Sequence, residues 1–113
     1  MKNFWGILFV ELMFASQVFA QHSVQGTVVD KANNERMDMV SVRLVKVQQT
    51  DTVLVAGALT DEKGFFILQK VQDNRYTLIF NYLGYKEKSL PIVVDGKAVN
   101  VGTVALTASV TEL

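Results

Sequence analysis

From His22 onward the chain alternates apolar and polar residues in short runs, and each run ends at residues that favour turns. His22 to Asp30 places Val24, Gly26 and Val28 on one face of a strand, because successive side chains of extended backbone point to opposite sides. Asp30 to Asp38 is polar and carries Asn33-Asn34, a loop signal. Val40, Val42 and Leu44 then alternate with Ser41, Arg43 and Val45, the pattern of a half-buried strand. Gln48-Gln49-Thr50-Asp51 predicts a turn, and Thr52 to Thr60 a third strand. Asp61-Glu62-Lys63-Gly64 predicts a tight turn in which Gly64 takes a positive φ without a Cβ clash.

Phe65 to Leu68 is short and apolar, with Phe66 and Leu68 on one face, before a turn at Gln72-Asp73-Asn74. Tyr76, Leu78, Phe80 and Tyr82 form the cleanest period-two stripe, opposite Thr77, Ile79 and Asn81, and Gly84 breaks it. Tyr85 to Leu90 is charged, and Pro91 lacks an N–H, so this stretch belongs on a sheet edge. Asp95-Gly96 predicts a hairpin joining Ile92-Val93-Val94 to Val99–Leu106. No helical periodicity survives after residue 21. The expectation is all-β: an antiparallel β-sandwich of about seven strands. All six aromatics beyond residue 20 lie between Phe65 and Tyr85, which predicts the centre of the core there. Phe66, Tyr76 and Phe80 are expected to be the costliest to truncate, at about 3–5 kcal/mol each.

Residues 1–20 are different. They hold Phe4, Trp5, Phe9, Phe14 and Phe19 but only two charges, Lys2 and Glu11. A positive start, an apolar centre, a polar step at Ser16-Gln17 and a close on Val18-Phe19-Ala20 are the layout of a helical secretory signal peptide. A membrane anchor is the weaker reading, because a span needs about 20 apolar residues and Glu11 interrupts this run. The expected division is a signal peptide at 1–20, one domain at 21–107 and the start of a linker or a truncated tail at 108–113. Export places the domain outside the cytoplasm, where ATP and nicotinamide cofactors are scarce.

Composition then narrows the chemistry. The 113 residues carry 11 basic and 11 acidic side chains, and removing Lys2 and Glu11 leaves ten of each, so neutrality survives the cut. Neutrality gives no electrostatic case for nucleic acid or an anionic membrane. With no cysteine there is no disulfide, thiolate metal site, thiol nucleophile or lipid-attachment cysteine, so packing alone must hold the domain. His22 is the only histidine, and its place beside the expected new N-terminus predicts a frayed, solvated residue rather than a general base. Asp61-Glu62-Lys63-Gly64 is the one candidate calcium loop, but Lys63 stands where a ligand should be, which favours a plain turn. The glycines are scattered and make no phosphate cradle.

Lys86-Glu87-Lys88 reads as protection of an edge strand rather than a binding patch. Tyr82 and Tyr85 could form a small aromatic contact surface, against the simpler reading that one packs inward and the other covers the sheet end. Lys46 and Asn100 are conceivable partners in an intramolecular isopeptide bond, which would require both to be buried together. No catalytic, cofactor-binding or metal-ligating residue is assigned, and no cofactor or small-molecule substrate is expected.

Five segments occur in order at telling spacings: Val24-Gln-Gly-Thr-Val-Val-Asp30, Val40-Ser-Val-Arg-Leu44, Thr60-Asp-Glu-Lys-Gly-Phe-Phe66, Tyr76-Thr-Leu-Ile-Phe80 and Tyr82-Leu-Gly-Tyr85. Over residues 23–107 the chain resembles the carboxypeptidase regulatory-like domain, a prealbumin-like (transthyretin-like) β-sandwich. More narrowly, it is similar to the version that follows the signal peptide in TonB-dependent outer-membrane receptors of Bacteroidetes-type bacteria. It departs from the pattern at Met37-Asp-Met-Val40, where such domains often carry a Leu-Pro-Gly-Ala-like turn. The receptors continue into a plug and barrel, whereas this sequence ends at Ser109-Val-Thr-Glu-Leu113, so the resemblance implies a truncated or split product, or a domain working alone. It implies a non-catalytic accessory domain of a receptor system, contacting receptor components or other envelope proteins. The alternative is a free-standing secreted or periplasmic binding or scaffold domain.

Overall fold

The computed structural model describes residues 21–110; the expected signal peptide and residues 111–113 lie outside the described residues. Seven strands follow one another: β1 (His22–Asp30), β2 (Ser41–Gln48), β3 (Asp51–Leu59), β4 (Phe65–Val71), β5 (Asn74–Asn81), β6 (Lys88–Val94) and β7 (Val99–Leu106). They form a three-stranded sheet in the order β4-β1-β7 and a four-stranded sheet in the order β3-β2-β5-β6. The all-β sandwich expected from the alternation is the fold. One pairing departs from the antiparallel expectation: β1 and β7 run parallel, from Val24↔Val99 to Asp30↔Leu106. Parallel neighbours need a long connection, and here the whole domain lies between them.

The core is the layer between the two sheets. Val24 and Val28 of β1, Phe66 and Leu68 of β4, and Val104 and Leu106 of β7 meet Val42, Leu44, Tyr76, Leu78, Phe80 and Val94 of the other sheet. Phe66 and Phe80 touch edge to face across the layer, with ring centroids 5.6 Å apart, an arrangement that aligns the positive ring edge with the negative face. Of the six aromatics expected at the centre, Phe66, Tyr76 and Phe80 are buried there; Phe65 and Tyr82 are exposed and Tyr85 is half-buried. The stripe through Tyr76, Leu78 and Phe80 ends with β5 at Asn81, and Tyr82 already belongs to the next loop.

Two connections are hairpins within a sheet, β2–β3 through Gln49 and Thr50 and β5–β6 through residues 82–87, and the other four change sheets. The Asp95-Gly96 hairpin is therefore corrected. Gly96 does take φ +77°, as such a turn requires, but β6 lies in the four-stranded sheet and β7 beside β1 in the other. Turn chemistry is local and cannot say whether the strand that follows folds back or crosses over. The stretch expected as an edge segment from Tyr85 plus a strand from Ile92 is one strand, Lys88–Val94, on the edge of its sheet as Pro91 required.

Thr60 locks the β1–β2 loop to the end of β3. It is the one buried polar residue among those described; its Oγ1 donates to the Met37 carbonyl at 2.6 Å and accepts the Val40 N–H at 2.9 Å. Its backbone accepts from Met39 N–H and donates to Val40 O, both at 3.0 Å. Four hydrogen bonds on one residue hold the loop that carries Met37-Asp-Met-Val40. Gly26 permits close packing of β1 against its neighbours. An added Cβ would lie 2.6 Å from Val101 Cγ2 and 3.0 Å from Phe66 Cε1, so a side chain there would displace the core.

Candidate binding surface

The polar residues that the sequence offers for chemistry are occupied with structure. Asp61 Oδ1 accepts the N–H groups of Lys63 and Phe65 at 2.8 and 3.0 Å, and Gly64 takes φ +74° where a Cβ would meet the Val28 carbonyl oxygen at 2.5 Å. The loop is the plain turn expected, its carboxylate turned onto its own backbone. Among the described residues no three His, Asp or Glu side chains gather where a metal could bind. No described helix is long and apolar enough to cross a membrane.

His22 is not a frayed tail residue. It opens β1, pairs with Val71 of β4, and sets Nε2 3.3 Å from Asp73 Oδ1, which also accepts the Gly96 N–H at 3.0 Å. Strand pairing starts earlier than the terminal position suggested, because β4 runs on past Leu68 to Val71. Lys46 and Asn100 are not brought together: they stand in β2 and β7, on different sheets. Asn100 is exposed and its Oδ1 accepts the Gly102 N–H at 2.9 Å, so the buried pair an isopeptide bond requires is not formed.

Tyr82 and Tyr85 do meet, edge to face at 5.6 Å, but their roles differ. Tyr82 lies outward beside Leu83, which is 97% exposed at the loop tip. Tyr85 packs against the core and donates its phenol O–H to Asp30 Oδ2, tying the β5–β6 loop to the end of β1. That bond, with the Ala32 N–H second, holds the Asp30 carboxyl below its ordinary range, and the same bond, with burial second, raises the Tyr85 phenol. Of Lys86-Glu87-Lys88 only Lys88 enters a strand; Glu87 accepts from Asn81 Nδ2 at 2.9 Å, and Asn81 Oδ1 accepts from Arg43 at 3.0 Å.

What the fold leaves open is strand. β3 is a sheet edge nine residues long with a single charge, Asp51, and it exposes Leu54 and Leu59 by 62% and 55%. The opposite edge, β6, carries Lys88 and Pro91, the residues that discourage pairing. A second opening lies in the same sheet, where β2 and β5 part beyond Val45↔Thr77 and a cleft of about 630 Å³ separates Lys46 and Val47 from Asn74 and Arg75. Neither feature was legible in the sequence. The outward positions were readable from the alternation, but which strand is an edge, and where two strands part, depend on pairing partners distant in the chain.

Comparison with known proteins places this geometry. No curated protein sequence matches the chain. Similar solved folds include the Bacillus anthracis TIE protein, at TM-score 0.65 and 18% identity over 79% of this chain and 17% of that one. A streptococcal ancillary pilin matches at TM-score 0.61 and 16% identity over 80% of this chain and 30% of the pilin. A DUF3823 family protein from Bacteroides uniformis matches at TM-score 0.60 and 16% identity, over 77% and 43%. At these identities the likeness is one of fold, and this chain spans less than half of each of the three. The family model described as CarboxypepD_reg-like domain matches residues 24–113, nearly everything beyond the expected signal peptide, and with the five sequence segments now placed in one sandwich the chain belongs to that family.

Proposed function

We propose that the chain is a non-catalytic interaction domain, exported through residues 1–20, that serves as an accessory module of a TonB-dependent outer-membrane receptor system. The observation that carries the interaction reading is the β3 edge, whose free backbone groups and exposed Leu54 and Leu59 lack the charged or proline guard of β6. Such an edge accepts an added strand, with main-chain hydrogen bonds for affinity and side-chain positions for selectivity. The receptor context is supported by the order of the Thr60–Phe66 and Tyr82–Tyr85 segments behind an apolar leader. A photo-crosslinking residue at Leu54, in cells that carry the native envelope, is expected to capture a TonB-dependent receptor; a chain that captures no envelope protein overturns the proposal. The purified protein is expected to show no peptidase turnover, and measurable hydrolysis would overturn the non-catalytic part.

A free-standing exported scaffold or binding domain is the second reading, favoured by a core that closes within residues 24–106. The DNA directly downstream of Leu113 separates the two. Plug-and-barrel coding sequence supports the receptor module, and an unrelated neighbouring gene supports the free-standing domain.

A further inference from the structure

The four-stranded sheet does not stay closed along its length. Pairing between its central strands runs from Ser41↔Asn81 to Val45↔Thr77 and stops. Beyond that point Lys46, Val47 and Gln48 pair only outward, with Val53, Thr52 and Asp51 of β3. Asn74, Arg75 and Tyr76 pair only outward on the other side, with Val94, Val93 and Ile92 of β6. The sheet forks into two hairpins, and close to where they part the edge strand β3 carries one extra residue, Val55, between the partners of Leu44 and Val45, a bulge that bends that strand. Each arm is three residues, about 10 Å at ~3.3 Å per residue.

We propose that this fork is a binding groove for a short extended peptide segment carrying carboxylate side chains, a proposal that rests on the reading of the chain as an interaction domain and names the chemistry of one partner. Three features select that occupant. The first is backbone: every second residue of a strand turns its N–H and C=O to each side, so both arms present donors and acceptors to the cleft where their own pairing has ceased. An extended segment satisfies such groups, and a helix does not. The second is charge. Lys46 stands on one arm and Arg75 on the other, and the cleft lining contains no acid. Among the described residues the carboxylates within 4.0 Å of a basic side chain are Asp73, beside His22, and Glu87, beside Arg43, so neither Lys46 nor Arg75 has one. Asp73, next to Asn74, accepts the Gly96 N–H and lies 3.3 Å from His22 Nε2.

The third is the apolar surface beside the cations. Val47 is 72% exposed on one arm, and Val93, the cross-strand neighbour of Arg75, is 58% exposed on the other. An aliphatic side chain two residues from an acid, on the same face of an extended segment, would cover both. The cleft volume of about 630 Å³ lies within the roughly 300–1,000 Å³ range of ligand sites.

The test uses two blocked pentapeptides, Ser-Glu-Glu-Val-Ser and its glutamine counterpart Ser-Gln-Gln-Val-Ser, titrated into the labelled protein by NMR. The acidic peptide is expected to shift the amides of Lys46–Gln48 and Asn74–Thr77 saturably, with binding that weakens as salt is raised. Lys46→Gln and Arg75→Gln are each expected to weaken it roughly two- to fivefold, and the pair about tenfold, the scale of exposed ion pairs. Arg75 is exposed and Lys46 half-buried, and neither has a carboxylate partner, so the variants should keep the native amide spectrum; Val47→Glu, which adds a repelling charge to one arm, is an independent second variant. Free glutamate is expected to give no saturable shift. Unshifted fork amides, equal binding of the two peptides, or undiminished binding by the double variant would each overturn the proposal. The Leu54 crosslink probes the β3 edge, outside the cleft, and keeps the two readings apart: peptides that fail at the fork while the Leu54 adduct forms refute this groove and leave the interaction domain standing, and no adduct from the unaltered chain refutes the interaction domain itself.

Discussion

Replacing Thr60 by valine removes one oxygen from an otherwise unchanged shape, and that oxygen holds the longest sheet-to-sheet loop. The Val40 N–H, which donates to Thr60 Oγ1 at 2.9 Å, is buried in a sandwich interior and would lose its acceptor. A buried donor left unpaired costs about 1–3 kcal/mol. The Met37 carbonyl, which receives the hydroxyl hydrogen at 2.6 Å, would lose a bond with a net worth of about 0.5–1.5 kcal/mol. The two backbone bonds of Thr60 to Met39 and Val40 persist, so the loop should loosen rather than detach. The expected destabilisation of Thr60→Val is about 2–4 kcal/mol, a fall in Tm on the order of 10–30 °C for a domain of this size. Urea unfolding followed by far-UV circular dichroism reads it directly, with the denaturant slope unchanged because the surface exposed on unfolding is the same. Thr60→Ser keeps the hydroxyl and gives up one methyl, and should cost only about 1 kcal/mol. If valine is within about 0.5 kcal/mol of the native protein, or serine is the worse of the two, the hydroxyl is not what fastens the loop and the reasoning fails.

The remaining expectations can be checked on the same unfolding apparatus. Phe66→Ala should cost about 3–5 kcal/mol because Phe66 fills the layer against Phe80, whereas Phe65→Ala, on the exposed face one residue earlier, should cost far less; equal losses would contradict the assignment of faces. Gly26→Ala is expected to cost about 1–3 kcal/mol by pressing on Val101 and Phe66, and a neutral result would mean that the sheet there yields freely. The Asp30–Tyr85 bond shapes stability at both ends of the pH range. The lowered Asp30 carboxyl stabilises the fold above its unfolded pKa near 4, and that contribution fades as pH falls through the folded value. The raised Tyr85 phenol stabilises below its unfolded value near 10, and that contribution is lost as pH rises through the folded one. Tyr85→Phe should therefore flatten both flanks of a Tm-against-pH curve, and an unchanged curve shape would refute the coupling.

Much of the fold could be read from the alternation because each strand has one face on the core. Tyr76, Leu78 and Phe80 are buried and Thr77, Ile79 and Asn81 lie outward, as a period of two demands. Gly64 was legible for a local reason, its positive φ. His22 was misplaced because proximity to a terminus says nothing about the strand across from it, and β4 extends far enough to pair it with Val71. Val29 and Val45 show another limit: both are buried yet stand apart from the inter-sheet core. The candidate groove was the least visible feature of all, since Lys46 and Arg75 are 29 positions apart and come to line one cleft only because β2 and β5 pair and then separate.

By itself the sequence determined that these residues form strands, which face of most strands is apolar, where the turns fall, and that no cysteine chemistry contributes. Those properties depend on side-chain alternation and on backbone freedom at single residues, both local. Only the tertiary structure decided which strand lies beside which. Backbone hydrogen bonds are chemically alike for every strand, so Asp95-Gly96 could have turned β7 back on β6, and instead β7 crossed to lie parallel to β1. The same non-local choice left β3 as an edge, opened the fork beyond Val45 and Thr77, and brought the Tyr85 phenol to Asp30 across 55 residues.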